Sequence, residues 1–161
     1  MQVDINRKKT EYLITCIDQG MVGETFSIHI YFPNRKWYVA MIRDSLRHLF
    51  SHYKIGSDAV QRMVTVADEI MNNTVTYGSA EWDVNQFRIS LVDFPHEVRI
   101  TYEIQDTGRN HDSRTAAQMH SLLEKNKQTW DMEPMRLRGR WYQMITSICD
   151  KVEFLDTPRG G

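Results

Sequence analysis

The 161-residue sequence has neither an excess of charge nor a long apolar run. Its 20 Lys and Arg residues nearly balance 21 Asp and Glu residues, so the net charge of -1 does not favour direct binding to nucleic acid or to an anionic membrane. The longest apolar stretch, WYVAMI, is far shorter than the roughly 20 residues that span a bilayer. The polar amino-terminal sequence also has no apolar run after its positive charges. We therefore expect a soluble, cytoplasmic protein.

Cysteine is scarce as well. Cys16 and Cys149 lie in separate apolar segments, and their spacing does not match a zinc site. Such residues are typical of buried free thiols in a reducing compartment. The chain has no internal repeat and no low-complexity tract, and its length suits about one ordinary domain.

Hydrophobic periodicity predicts both strands and helices. Alternating apolar residues indicate strands at TFSIHIYF, QFRISLV, HEVRITYEIQD and KVEFL, and less regularly at EYLITCIDQ. The loop DFP should join two of them in a hairpin. Apolar residues spaced by three and four predict helices at 36–53, at 57–78 with Ser57 as N-cap and Gly78 as the stop, and at RWYQMITSICD. Strands with one polar side need helices on the other, so the predicted fold class is α+β, a two-layer sandwich.

A polar stretch follows the predicted hairpin. Residues 107–138 contain one short predicted helix, TAAQMHSLLEK. A connection of this length is uncommon without a function, so we interpret it as a lid or binding loop. His111, Asp112 and His120 fall within it, but their spacing does not favour a metal site.

The segment VADEIMNNTVTYG (66–78) places two asparagines in an otherwise regular amphipathic helix. Glu69 and Asn73 are one turn apart on the polar side. A solvated face is the common fate of such a stripe, yet Asn and Thr each cost roughly 0.5 kcal/mol in helix propensity. A carboxylate beside an amide oxygen that can coordinate a hard cation would instead suit metal-assisted phosphoryl transfer. Both interpretations stay open on this segment alone.

Two further segments contain residues that could bind a ligand. In IQDTG (104–108), Asp106 and Gly108 could form an ordinary turn after a strand, or an adenine pocket in which the carboxylate accepts from an exocyclic amine. In RLRGRWYQMI (136–145), Gly139 and the arginines Arg136, Arg138 and Arg140 lie at the start of a predicted helix. They could bind phosphate together with free backbone amides, although a solvated basic loop is the simpler interpretation.

Taken in order, the three segments resemble those of the Bergerat-type, or histidine-kinase-like (GHKL), ATPases, which include gyrase, sensor histidine kinases and bacterial anti-sigma-factor serine kinases. VADEIMNNTVTYG looks like the family's N-box, IQDTG like its first glycine box, and GRWYQMITSICDKVEF like its second glycine box with the following helix and strand. The resemblance covers roughly 25–161 and implies a mixed, mostly antiparallel sheet covered on one face by helices. Residues 1–24 are then an amino-terminal extension with an edge strand.

The resemblance also implies roles for individual residues. Glu69 would be the catalytic base and Asn73 would hold Mg²⁺ against bound ATP. Asp106 and Gly108 would bind adenine, Gly139 and Arg140 would contact the phosphates, and residues 109–138 would close as a lid.

The compact size and the ending DKVEF are most similar to the anti-sigma-factor subgroup. The resemblance therefore implies a regulator that sequesters a sigma factor or a similar partner and phosphorylates an antagonist protein on Ser or Thr. Relatives of this type often dimerise, which makes a homodimer a further expectation.

The chain departs from the family pattern at three places. Asn110 and Trp141 stand where the two glycine boxes carry a further glycine, and the sequence stops at Gly161 where relatives continue into one more strand. The first two departures favour an alternative, a nucleotide-deficient module of the same fold that regulates its partners by contact alone.

Overall fold

The computed structural model describes residues 1–21, 25–53, 55–121 and 140–156. Within these ranges a four-stranded sheet has the order β1-β2-β3-β4, formed by Gln2–Asp4 (β1), Thr25–Pro33 (β2), Val84–Asp93 (β3) and Val98–Gln105 (β4). Strand β1 runs parallel to β2, whereas β2 with β3 and β3 with β4 are antiparallel. The predicted mixed, mostly antiparallel sheet and its hairpin are therefore confirmed.

Helices cover the sheet, and all except the first lie where the sequence predicts helices. They are α1 (Thr10–Gly20), α2 (Lys36–Ser51), α3 (Ser57–Asn73) with a π-helical turn (Thr74–Gly78), α4 (described over 116–121) and α5 (Arg140–Ile148). Helix α2 packs against both α1 and α3, and α5 packs against α3. Among the described helices none is long and apolar enough to cross a membrane. The N-cap of α3 is Gly56 and not Ser57, which is already helical.

Alternation along the strands explains where the core lies. Every second residue of β2 and β3 is buried against the helices, namely Phe26, Ile28, Ile30, Phe32, Phe87, Ile89 and Leu91. Val3, Leu13 and Ile17 from the amino-terminal residues belong to the same core. The domain boundary placed after residue 24 stays a prediction. Both cysteines are free thiols, Cys16 buried and Cys149 half-buried.

The strand predicted at EYLITCIDQ is wrong, because this segment lies in helix α1. Its buried residues are Leu13, Cys16 and Ile17, a spacing of three and four that gives a helix one apolar side. An edge strand does exist before residue 24, but it is β1, whose short run Gln2–Asp4 pairs with β2.

The strand predicted at KVEFL is also wrong, since residues 151–156 have no strand pairing. The apolar side chain of Phe154 packs locally instead, with its ring centroid 5.7 Å from that of His120 and 6.2 Å from that of Tyr142. Phe154 therefore packs against residues of α4 and α5 without a strand ladder, and β4 is the last strand of the described sheet.

A buried hydrogen-bond network, here called the polar junction, consists of Asn34, Ser79, Asp83, Asn85 and Thr107. Asn34 follows β2 and its side-chain Nδ2 donates to the carbonyl oxygens of Val75 (3.2 Å), Ser79 (2.9 Å) and Ala80 (3.0 Å). These bonds satisfy carbonyl groups that the end of a helix leaves without intrahelical partners. They also fix the end of the π-helical turn to the end of β2.

Strand β3 completes the polar junction. Asn85 is fully buried, and its Nδ2 donates to Asn34 Oδ1 at 2.9 Å while its Oδ1 accepts from the Ser79 hydroxyl at 2.6 Å. The Thr107 backbone N–H in turn donates to Ser79 Oγ at 3.0 Å. The segment after β4 is therefore held beside the end of α3 by buried bonds.

Candidate functional site

The two asparagines of the α3 segment differ in their bonding. Asn72 donates through Nδ2 to the carbonyl of Asp68 at 2.9 Å, one helical turn back, and so bonds to its own helix. Asn73 Nδ2 is buried and has no hydrogen-bond partner in the described part of the chain. An unsatisfied buried polar group costs roughly 1–3 kcal/mol. Asn73 is therefore the one of the pair that is ready for a ligand.

Helix α3 widens directly after Asn73. The π-helical turn Thr74–Gly78 ends with the N–H of Ser79 donating to the carbonyl of Thr74 at 3.2 Å. Turns of this kind are rare in proteins, but those that occur are often found at functional sites. The expected stop at Gly78 is confirmed, but the π-helical geometry was not predicted.

Gly78 lies so close to Asp106 that no amino acid with a side chain would fit at position 78. A Cβ atom at Gly78 would lie 2.0 Å from Asp106 Oδ2 and 2.3 Å from its Cγ, far inside van der Waals contact. The carboxyl of Asp106 therefore occupies the space that a side chain at position 78 would fill. This contact joins the first glycine box to the end of the helix that carries Glu69 and Asn73.

Asp106 and Gly108 form the turn that the sequence suggested. Asp106 Oδ1 accepts from the Gly108 N–H at 2.9 Å, and Gly108 has φ 64°, a left-handed value that glycine adopts without strain. Burial raises the pKa of the Asp106 carboxyl, and the bond from Gly108 opposes part of that rise. A half-buried acceptor of this kind can recognise an exocyclic amine.

The other residues of the box hold it in place. The Thr107 hydroxyl bonds to the carboxylate of Asp83, Arg109 pairs with that carboxylate and donates to it from Nε at 3.1 Å, and the Ala80 N–H adds a bond of 3.0 Å. The carboxylate of Asp83 is thus buried but fully partnered. Residues 107 and 109 anchor the segment while Asp106 faces Gly78.

Asn110 stands where the family carries glycine, and its side chain has a structural role. Its Nδ2 donates to the carbonyl oxygens of Thr76 at 3.1 Å and Ser79 at 3.3 Å. Its φ is not positive, since Arg7 is the one non-glycine residue with a positive φ in the described ranges. Asn110 therefore ties the loop to the π-helical turn without needing a left-handed backbone.

Glu69 lies further along the same helix. It is half-buried and makes no hydrogen bond or ion pair within the described part of the chain. Nine positions separate it from Gly78, or roughly 13 Å along a helix axis. Glu69 and Gly78, which Asp106 contacts, therefore lie at opposite ends of this helical segment, with Asn73 between them.

The predicted lid is described as far as residue 121. Helix α4 has a reciprocal cap, in which the Thr115 N–H donates to Gln118 Oε1 at 2.9 Å and the Gln118 N–H donates to Thr115 Oγ1 at 3.2 Å. The N–H of Ala116 donates to Asp156 Oδ1 at 2.7 Å. The beginning of the lid is thus bonded to the carboxyl-terminal segment.

The second glycine box is described in part. Gly139 lies outside the described residues, as does the lid segment 122–138, and Arg140 begins α5 with a side chain that is not described. The side chain of Trp141 also lies outside the description. Helix α5 packs on α3, the helix that carries Glu69 and Asn73.

The structure does not bring His111, Asp112 and His120 together as a metal site. His111 Nε2 lies 3.5 Å from Asp112 on the surface, whereas the ring of His120 packs edge-on against Phe154. A groove of about 520 Å³ lies elsewhere, between residues 7–11 and α2, and none of the predicted site residues lines it.

The sequence reasoning missed the residues that position the site. Asn34, Asp83 and Asn85 lie in the polar junction, and Gly78 was interpreted only as a helix stop. The available signal was modest, namely short polar side chains directly after strands and helices. Such residues are usually turn formers, so sequence alone does not show which of them become buried.

The described residues fit ATP with Mg²⁺ at three points. Asn73 has an unpartnered buried amide, and rotation about its last side-chain bond can present oxygen to a cation or nitrogen to a phosphate. Asp106 offers a half-buried carboxylate for adenine. Glu69 has a free carboxylate one turn from Asn73.

Comparison with known families agrees with this geometry. The profile of the histidine kinase-like ATPase domain matches residues 32–161. The match includes the α3 segment, the first glycine box and helix α5. No curated protein matches the chain.

Gly78→Ala tests the contact between the helix end and Asp106. The added methyl overlaps the carboxyl, so we expect a loss of about 1–3 kcal/mol in the free energy of unfolding, measured by urea denaturation. Gly56→Ser is the matched control, because Gly56 has nothing within 4 Å and Ser is a good N-cap residue. Equal stability of Gly78→Ala and the wild type would contradict the contact.

Asp106→Asn tests the cost of burying the carboxylate. Because burial raises the pKa of this carboxyl in the folded state, the ionised form destabilises the fold at neutral pH. We expect the variant to unfold at a higher temperature than the wild type at pH 7. The difference should shrink as the pH falls through the raised pKa, since the wild-type carboxyl then takes up a proton. A pH-independent difference in melting temperature would refute this explanation.

Proposed function

The chain belongs to the histidine kinase-like ATPase domain family, and on that premise we propose that it is a cytoplasmic ATP-binding regulator. Members of this family bind ATP, generally together with Mg²⁺. In the proposal the protein sequesters a sigma factor or a similar partner and transfers phosphate to Ser or Thr of an antagonist protein.

One observation carries the nucleotide part of the proposal. The buried Asn73 Nδ2, which has no partner among the described residues, and the carboxyl of Asp106 lie at the two ends of one segment, the π-helical turn that closes on Gly78. The polar junction fixes that feature to the sheet before any ligand arrives. Binding therefore needs little ordering of these residues, which favours affinity.

The proposed roles follow from the chemistry of each group. Asp106 accepts from the exocyclic amine of adenine, while guanine presents a carbonyl oxygen there that the carboxylate would repel. Asn73 supplies an oxygen ligand for Mg²⁺, and Glu69 accepts the proton of the attacking hydroxyl. ATP would supply the transferable phosphoryl group, and Mg²⁺ would offset its charge. Gly108 leaves space for the base, and Gly139 with Arg140 would contact the phosphates.

The partner part of the proposal depends on the resemblance to the anti-sigma-factor subgroup. Support comes from the ordered motifs and from DKVEF after α5. A homodimer is part of this proposal. The near-neutral charge of the chain supports protein partners over nucleic acid or membrane.

A second candidate function has its own observation. Asn110 uses its side chain to bond the carbonyl oxygens of Thr76 and Ser79, at the place where a glycine box usually leaves backbone free for a nucleotide. This closure favours a protein-binding module of the same fold that acts by contact alone. Nucleotide titration separates the two candidates.

Calorimetric titration with Mg·ATP tests the leading proposal. We expect binding at micromolar Kd, at least tenfold weaker binding of Mg·GTP, and at least tenfold weaker Mg·ATP binding by Asn73→Ala, since a lost ligand group of about 1.4 kcal/mol changes Kd tenfold. Asn72→Ala is the matched control, because Asn72 bonds only to its own helix. Asn72→Ala should change the Kd for Mg·ATP by less than about threefold, since the lost hydrogen bond is one to the Asp68 carbonyl of the same helix.

Two outcomes decide between the candidates. Equal effects of Asn72→Ala and Asn73→Ala would remove Asn73 from the site. Millimolar or absent binding of Mg·ATP by the wild type would favour the contact-only module.

Glu69→Gln tests the proposed base. The amide keeps the shape of the side chain but cannot take a proton, so we expect Kd for Mg·ATP within about threefold of the wild type and a loss of phosphate transfer of about 100-fold or more. The readout is single-turnover release or transfer of labelled γ-phosphate. Asp68→Asn is the control, since its carboxylate pairs with Arg43 at 3.4 Å on the neighbouring helix. Loss of binding in Glu69→Gln would contradict the assignment of the base.

A further inference from the structure

A second cluster of chemically active side chains lies on α1 and at the end of α2, and it includes none of the nucleotide-site residues. Asp18 is near the end of α1, His48 is in the last turn of α2, and His52 follows directly after α2. Positions 48 and 52 are one helical turn apart and therefore share a side of the helix. Because α1 packs against α2, the two histidines meet the carboxylate of the neighbouring helix.

The three side chains converge on one point. The Nε2 atom of His48 lies 2.7 Å from Asp18 Oδ1, and the Nε2 atom of His52 lies 3.9 Å from that oxygen. One ligand atom from each residue falls within 4.8 Å of the others. A tetrahedral ion with bonds of about 2.0–2.2 Å would separate its ligand atoms by roughly 3.4 Å. Shifts of about 1 Å in three partly exposed side chains would reach that geometry.

The tautomer of His52 is set by its neighbour. The Nδ1 atom of His52 lies 3.0 Å from the backbone carbonyl of His48, which can only accept a hydrogen bond. Nδ1 therefore carries the hydrogen, and in the neutral ring the lone pair is on Nε2, on the side of Asp18. Metal-bound histidines are oriented by a carbonyl partner on the other ring nitrogen in the same way.

Each of the three side chains directs a potential metal-ligand atom toward the other two. If His52 is neutral, the lone pair of its Nε2 faces a carboxylate oxygen. The two imidazole rings are also close together, with centroids 4.8 Å apart. The contact between His48 and Asp18 joins two of the three groups, and the backbone carbonyl of His48 orients the third, His52, beside them. A divalent cation would satisfy all three groups together.

We propose that Asp18, His48 and His52 form a binding site for a divalent transition-metal ion of the zinc class. Two imidazole nitrogens and one carboxylate oxygen suit Zn²⁺ or Co²⁺ and do not suit Mg²⁺ or Ca²⁺, which prefer oxygen ligands. The bound ion links α1 to the end of α2 and stabilises the amino-terminal part of the core. Water completes the coordination, since Asp18 and His52 are exposed.

Zinc titration of the metal-free full chain tests the site. We expect one ion per chain by calorimetry, and a rise in melting temperature of about 5–10 °C when free Zn²⁺ is 100 times Kd. Substituting Co²⁺ should give the visible absorption of a nitrogen- and oxygen-bound ion. Mg²⁺ at the same concentration should produce neither effect.

Single substitutions show which residues bind the ion. Asp18→Asn, His48→Gln and His52→Gln should each weaken Zn²⁺ binding at least tenfold and reduce the melting shift. His111→Gln is the matched control, since His111 also lies beside a carboxylate, that of Asp112 at 3.5 Å, and it should leave both readouts unchanged. His52→Gln alters an exposed side chain, so its fold can be checked by its melting temperature without metal.

Three results would overturn the proposal. They are absence of one-to-one zinc binding by the wild type, binding that survives in the triple variant D18N/H48Q/H52Q, and an equal loss in His111→Gln. None of these readouts involves ATP, so the metal proposal and the nucleotide proposal can fail separately.

Discussion

The buried hydrogen bonds of Asn34 are the constraint on which the site depends. The two N–H groups of one side-chain amide are shared among three carbonyl oxygens at the end of the helical layer, and its oxygen accepts from Asn85 in the sheet. A buried polar network of this kind is stabilising only when every member has a partner, so it permits one arrangement of the elements and penalises the others. The position of Asp106 against Gly78 is a consequence of that arrangement.

Hydrophobic periodicity predicted most of the fold because it reports burial directly. Strands β2, β3 and β4 each have one side toward the helices, and α2 and α3 each have one apolar stripe. The two wrong strand predictions came from short segments whose apolar residues fit more than one period. In α1 the spacing of Leu13, Cys16 and Ile17 was helical, and in KVEFL a single aromatic ring packed locally.

The candidate site was predictable only in outline. Glu69, Asn73 and Asp106 follow from a resemblance in motif order, but the difference between Asn72 and Asn73 requires knowing which amide is bonded to the helix. The polar junction joins residue 34 to residues 75–85, and the first glycine box to the same loop. Contacts between residues so distant in the chain leave no local pattern, and a widened helical turn has no composition of its own.

The carboxylate of Asp156 links the start of α4 to the carboxyl-terminal residues of the described chain. It accepts the Ala116 N–H, while the nearby Phe154 ring contacts both His120 and Tyr142. Any displacement of α4 must break that hydrogen bond or move residues 150–156 together with the helix. A molecule that binds residues 150–156 would therefore restrain α4 as well, because the two segments share this hydrogen bond.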